Sequence, residues 1–340
     1  MGMKDKQLQL ISEQTSPLFR IMSVYNADEP NRRHFENNIC AFHIGDGYIL
    51  SVAHNLRGVA SLLKSIDENL YQSEIFSKLN SAQQQMFDNC YPLESSTNKR
   101  YEKLSSQSDV SIIKEILRQI NYDLRWITLM EKKVCTPYLI IQFNDASFFQ
   151  DEVLTSQFEK SMQMYEPSIN KHTFLLETKL VEAFYSSDIA LYKIVNTSQE
   201  VIDRLPKLEI DFSIFEDSFS SLYCLQSSTA NEIGRMLNKA QIEGYLEHFN
   251  VFADSIGGNY IIDGFRYLIK GYFRFGSSGA PYVFYDEKNS SFKVNAIQSE
   301  ACPIQLSIDN KRDGNFQYIN AIASPLKVVE AEIKKHMLST

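Results

Sequence analysis

The chain has 340 residues, 44% of them hydrophobic and 22% charged, a balance that supports packed globular structure and excludes a disordered polymer. Its formal net charge of −8 excludes a general nucleic-acid binder, because phosphate recognition needs a basic footprint. No apolar run approaches the ~18 residues a membrane helix needs, so no membrane association is expected.

The first sixteen residues, MGMKDKQLQLISEQTS, are polar and lack the apolar stretch of a secretory leader. Gly2 is not followed by the small hydroxyl residue that myristoylation needs at position 6, where Lys6 stands. Five scattered cysteines (Cys40, Cys90, Cys135, Cys224, Cys302) form no CxxC pair and suit reduced thiols, so the expected compartment is the cytoplasm.

In chain order, residues 18–57 read as strands. LFRIMSVY and ICAFHIGDGYILSVAHNL are rich in β-branched and aromatic residues, and Gly45-Asp46-Gly47 marks a hairpin between two runs. Residues 58–134 differ in kind. Ile113, Ile116, Leu117, Ile120, Leu124 and Ile127 recur at helical spacing, with Ser108 or Asp109 as N-cap, and Leu62, Leu63, Ile66 and Leu70 make a shorter stripe. This block is predicted to be a helical insertion.

Strands resume with TPYLIIQF, HTFLLETKLVEAF and DIALYKIV. After Pro206 come SLYCLQ, AQIEGYLEHF, NYIIDGFRYLIKGYF, APYVFY and FKVNAIQS. A closing helix is predicted with Ser324 as N-cap, Pro325 at its first position, and Leu326, Val329 and Ile333 on one face. Lys334, Lys335 and His336 suit the negative end of that helix. Asp151 and Glu152 read as solvated or capping groups. The other histidines (His34, His43, His172, His248) show no metal-ligand spacing, so no metal and no cofactor are expected.

Three segments carry chemistry. ILSVAHNL delivers His54 at the end of a strand, SSDIALYKI sets Asp188 before an apolar strand, and GSSGAP places Ser278 in a glycine-bounded turn. A serine hydroxyl becomes a useful nucleophile when an imidazole takes its proton, and the imidazole needs a carboxylate on its other nitrogen to fix its tautomer. A glycine-rich turn can aim backbone N–H groups at one developing oxyanion. Gly-Ser-Ser-Gly also nearly fits the G-x-S-x-G elbow of the α/β-hydrolases, but that motif needs a helix directly after the serine, and Pro281 followed by YVFY reads as a strand.

These segments, in the order His, Asp, Ser, resemble the three motifs of the chymotrypsin-like (trypsin-like) serine peptidases: a small residue then Ala-His, an Asp-Ile-Ala-Leu segment, and G-x-S-G-A-P. The resemblance spans residues 18–57 and 135–338. It implies a mostly β fold, a chymotrypsin-like double β-barrel with a C-terminal helix and the helical insertion 58–134 in the first barrel. Residues 15–205 would form the barrel carrying His54 and Asp188, and residues 206–340 the barrel carrying Ser278 together with the terminal helix. It also implies a His54–Asp188–Ser278 triad, an oxyanion hole from the N–H groups of Gly276 and Ser278, and a substrate pocket near Tyr272 and Ser299. The implied activity is hydrolysis of peptide bonds in protein or peptide substrates. The insertion is expected at the rim of the cleft, as a lid or a surface for a regulatory protein partner.

Two departures from the family pattern stand out. Position 55 is Asn, so Cys40 has no disulfide partner beside His54, and the residue before the nucleophile is Ser277 where zymogen-type relatives carry Asp. Activation by a buried new N-terminus is therefore not expected. The competing reading is a non-catalytic peptide-binding or scaffolding module on the same fold.

Overall fold

In the computed structural model, residues 18–25, 34–56, 80–81, 84, 135–142, 151–164, 173–184, 186–215, 221–227, 235–247, 251–255, 258–262, 264–271, 277–304 and 318–338 are described. The first half supplies β1 (Leu18–Tyr25), β2 (His34–Gly45), β3 (Tyr48–Ser51), β4 (Cys135–Gln142), β5 (Thr173–Phe184) and β6 (Ile189–Ile194). They close into an antiparallel barrel in the order β1-β2-β3-β6-β5-β4. Facing pairs across neighbouring strands, Ile21 with Leu139 and Leu50 with Leu191, are fully buried, and β3 is buried on both faces. The Gly-Asp-Gly turn is a hairpin as predicted, with positive φ at Gly45, Asp46 and Gly47.

The second half contributes β7 (Glu209–Ile210), β8 (Ser221–Ser227), β9 (Arg235–Leu246), β10 (Val251–Ser255), β11 (Gly258–Ile262), β12 (Arg266–Lys270), β13 (Pro281–Asp286), β14 (Ser291–Ile304) and β15 (Tyr318–Pro325). Strands β13-β8-β9-β12-β15-β14 close through a β13–β14 pairing into a second six-stranded barrel; β7 adds to β14 in parallel, and β10–β11 form a separate ribbon. The fold is a chymotrypsin-like double β-barrel, as the motifs imply. The predicted strand NYIIDGFRYLIKGYF is in fact two, β11 and β12, parted near Gly264, whose φ of +104° ends the extended run.

Helices are few among the described residues. α1 (Glu152–Met164) and α2 (Gln199–Asp203) had no counterpart in the sequence reading. Asp151 does cap α1, its Oδ1 accepting from the N–H groups of Val153 (2.9 Å) and Leu154 (3.2 Å), while Oδ2 accepts from Arg204 (2.7 Å). Of the 58–134 block, the described residues 80, 81 and 84 include one helical bond, Gln84 N–H to the Asn80 carbonyl (2.8 Å). The rest of that predicted insertion, with both its stripes, lies outside the described residues.

The closing helix differs in detail from the prediction. Ser324 and Pro325 both belong to β15, a 3-10 turn runs Leu326–Val329, and α3 follows as Glu330–Leu338. Ser324 does not cap the helix. Its hydroxyl instead donates to the carbonyl of Ser187, 2.7 Å away in the first barrel. Leu326, Val329 and Ile333 are buried in the same apolar cluster as the first-barrel residues, and Tyr48 donates to the His336 carbonyl (2.8 Å). His336 Nε2 also meets Glu182 on β5 at 2.6 Å. The helix follows the second barrel in the chain but packs onto the first. No helix among the described residues is long and apolar enough to cross a membrane.

Candidate active site

His54 lies in the 3-10 turn Ala53–Leu56 that follows β3, so a fully buried strand end delivers it while the ring itself stays partly exposed. Asp188 sits at the other side of a tight turn between β5 and β6, with φ +55° and no solvent exposure. Its carboxylate holds His54 twice. Oδ1 accepts from the His54 backbone N–H (2.8 Å), and Oδ2 meets Nδ1 of the ring at 2.8 Å. An acceptor at Nδ1 fixes the neutral tautomer with its proton there and leaves Nε2 as the basic nitrogen.

A third donor completes the carboxylate: the Ser299 hydroxyl reaches Oδ2 at 2.5 Å. Ser299 owes this aim to a β-bulge. The β14–β15 register passes from Gln298↔Ala323 to Glu300↔Ile322, so Ser299 is the extra residue and its side chain is turned inward. The sequence reading gave Ser299 to a substrate pocket. Its hydroxyl is buried and donates to the Asp188 carboxylate.

Ser278 occupies the turn entering β13, and that turn is fastened on both sides. The Gly279 N–H donates to the Gln298 carbonyl (2.9 Å) and the Gln298 N–H to the Ala280 carbonyl (2.8 Å), which ties the turn to β14 one residue before Ser299. From the first barrel, the Cys40 N–H donates to the Ser278 carbonyl (2.9 Å), and the carbonyl of Cys40 accepts from Ser51 Oγ (2.6 Å), three residues before His54. Gly279 has φ +85°, and a Cβ there would meet the Cys40 carbonyl oxygen at 1.9 Å. Only glycine fits this crossing of the two barrels. Ser278 is itself half-buried, while Ser277 before it is fully buried.

No hydrogen bond joins the Ser278 hydroxyl to His54 among the described residues. Gly276 and Tyr272, the remaining oxyanion and pocket residues of the sequence reading, lie outside them. One neighbour escaped that reading. Glu300 brings a second carboxylate to the cleft, and single ligand atoms of His54, Asp188 and Glu300 fall within 4.8 Å of one another. Both Asp188 oxygens accept hydrogen bonds within this group.

No family model matches the chain, and no curated protein matches it significantly. Among solved structures it is similar to the active form of the Rv3671c protease from M. tuberculosis, at 10% identity and a TM-score of 0.44, over 96% of this chain and 83% of that one. It is similar to Deg5 at 10% identity and a TM-score of 0.42, over 97% and 93% of the two chains. The MamO protease domain from Magnetospirillum magneticum, in its apo form, aligns at 8% identity and a TM-score of 0.40, over 92% and 94%.

Proposed function

We propose that this protein is a serine endopeptidase in which Ser278 is the nucleophile, His54 the general base and Asp188 the group that orients it. The observation that carries the reading is the double hold of Asp188 on His54, through the backbone N–H and Nδ1, which leaves Nε2 as the ring's proton acceptor. Ser278 Oγ adds to the scissile carbonyl while Nε2 takes its proton. The N–H groups of Gly276 and Ser278 receive the oxyanion. His54 then gives the proton to the departing amine, the C–N bond breaks and an acyl-enzyme ester remains. Water repeats the sequence to release the acid and restore Ser278.

The substrate is a protein or peptide, with Tyr272 at the base of the pocket. We assign the enzyme to the cytoplasm, a reading supported by Cys40 and Cys224, which are buried and not joined in a disulfide. Residues 58–134 serve as a lid or as the surface for a regulatory partner. A fluorophosphonate probe tests the whole proposal: wild type should be labelled at one site, and Ser278→Ala should lose the label with an unchanged melting temperature. The second reading is a peptide-binding or scaffolding module on the same fold that does no chemistry. Peptide binding without labelling, with and without added partner proteins, would select it.

A further inference from the structure

The turn that carries Asp188 spans residues 186–188, and each of these accepts a hydrogen bond from the other barrel. Arg266 Nη2 on β12 donates to the Ser186 carbonyl (2.5 Å), Ser324 Oγ on β15 to the Ser187 carbonyl (2.7 Å), and Ser299 Oγ on β14 to the Asp188 carboxylate (2.5 Å). The donors lie on three strands that are neighbours in the sheet, β12-β15-β14. Three adjacent strands of one barrel thus grip three consecutive residues of the other.

Arg266 dominates the grip. It is 1% exposed and heads the largest fully buried side chains, and Nη1 also donates to the Phe265 carbonyl (2.8 Å), which braces the guanidinium from its own chain. A guanidinium is a rigid planar fork, so a braced one fixes its acceptor in direction as well as distance. The accepting turn needs such fixing. Asp188 is held at φ +55°, a region in which a side-chain-bearing residue is strained unless its surroundings impose it. Within the turn, the Ser187 N–H donates to the Phe184 carbonyl at 3.1 Å.

The geometry points to Arg266 and Ser324 as positioning residues: they hold the Asp188 turn in the conformation that aims its carboxylate at His54. Neither touches the imidazole. Both act through Asp188, and so the docking of the second barrel sets the orientation of a base that belongs to the first. This rests on the reading of Asp188 as the partner of a catalytic His54. If the grip loosens, the Asp188–His54 bond weakens, the imidazolium loses its stabilising partner, and the basicity of His54 falls.

Ser324→Ala, Arg266→Lys and Arg266→Met in the full chain test it, with Ile333→Val as a control that trims a buried methyl away from the turn. The first readout is the low-field proton resonance of the His54 Nδ1–H, which reports the bond to Asp188 whether or not the protein turns anything over. That resonance should weaken or move upfield in Ser324→Ala and further in Arg266→Met, with Arg266→Lys between them because it keeps one donor. It should stay in place in the control. The second readout is the pH profile of Ser278 labelling, whose acid-side, rising limb should move to lower pH, with a loss of about tenfold in rate at neutral pH for Ser324→Ala. Should Arg266→Met fail to fold, Ser324→Ala and Arg266→Lys carry the decision. An unmoved resonance in both folded variants overturns the proposal. A wild type that shows the resonance but never reacts with the probe defeats the peptidase reading alone.

Discussion

Gly279 and the carbonyl of Cys40 are in contact across the two barrels, so closely that a methyl at position 279 would stand 1.9 Å from the oxygen. The contact faces the residue that follows Ser278, and Cys40 also donates its N–H to the Ser278 carbonyl. Gly279→Ala combines this clash with a left-handed backbone that alanine resists. It should lose roughly 3 kcal/mol or more of stability, or displace the turn and abolish Ser278 labelling. Denaturant unfolding and probe labelling measure the two outcomes; a variant normal in both would refute the close crossing.

Asp188→Asn keeps the shape of the side chain but changes what it offers His54. An amide that keeps its oxygen on one donor turns its NH2 toward another, which favours the wrong imidazole tautomer. The expected result is a loss of about 10⁴-fold in kcat with KM little changed. A peptide-ester assay with active-site titration measures it. Retention of most of the turnover would remove Asp188 from the mechanism.

His43 makes stability depend on pH. It is buried on β2, its Nδ1–H donates to the Pro206 carbonyl (3.1 Å), and its Nε2 accepts from the Gly47 N–H (3.1 Å), so the ring is neutral. Burial lowers its pKa below the usual 6.5, the Pro206 bond and Asp46 oppose the shift, and Lys207 adds to it. A depressed histidine pKa means that the unfolded chain binds a proton which the folded chain refuses. Stability is therefore full above pH ~6.5 and falls as the pH drops through the unfolded pKa toward the folded one. Urea unfolding at pH 7.5, 6.5 and 5.5 should show this slope, and His43→Gln should flatten it. Equal slopes in the two proteins would contradict the neutral assignment.

Ser277→Asp should not create a switch that responds to a new N-terminus. Position 277 is fully buried, and a carboxylate there would shed its hydration in a place shaped for a hydroxyl. We expect a loss of about 3 kcal/mol or more and no gain in labelling after limited trimming of the N-terminal segment. A trimmed variant that labels faster than untrimmed wild type would reverse this.

What the sequence reveals is the part whose chemistry admits few residue types. The His54–Asp188 pairing is legible because an imidazole and the carboxylate that holds its Nδ1 each need one kind of side chain in a marked local setting. The Gly45–Gly47 hairpin is legible for a similar reason, since three successive positive φ angles demand such residues. Asp151 could be read as a cap, but the helix it caps had no strong stripe to announce it. Ser324 is the instructive failure. A serine before a proline has the local signature of an N-cap, while its actual partner, Ser187, is 137 positions away. Arg266 and Glu300 gave no local signal at all, because their significance arises only where the two barrels meet. The bulge at Ser299 was equally silent, being a property of strand register rather than of composition.

The packing of the closing helix on the first barrel has a consequence for how the protein is made. All six strands of that barrel, with His54 and Asp188, leave the ribosome well before residues 326–338 exist. Until then the apolar surface that receives Leu326, Val329 and Ile333 stays open to water, and before β12, β14 and β15 are made the Asp188 turn lacks its three distant donors as well. A nascent first half is thus a sticky intermediate, one that folding helpers would recognise by its exposed hydrophobic patch. The barrel is covered only with the final turns of this helix, so a stalled or shortened translation product would be aggregation-prone.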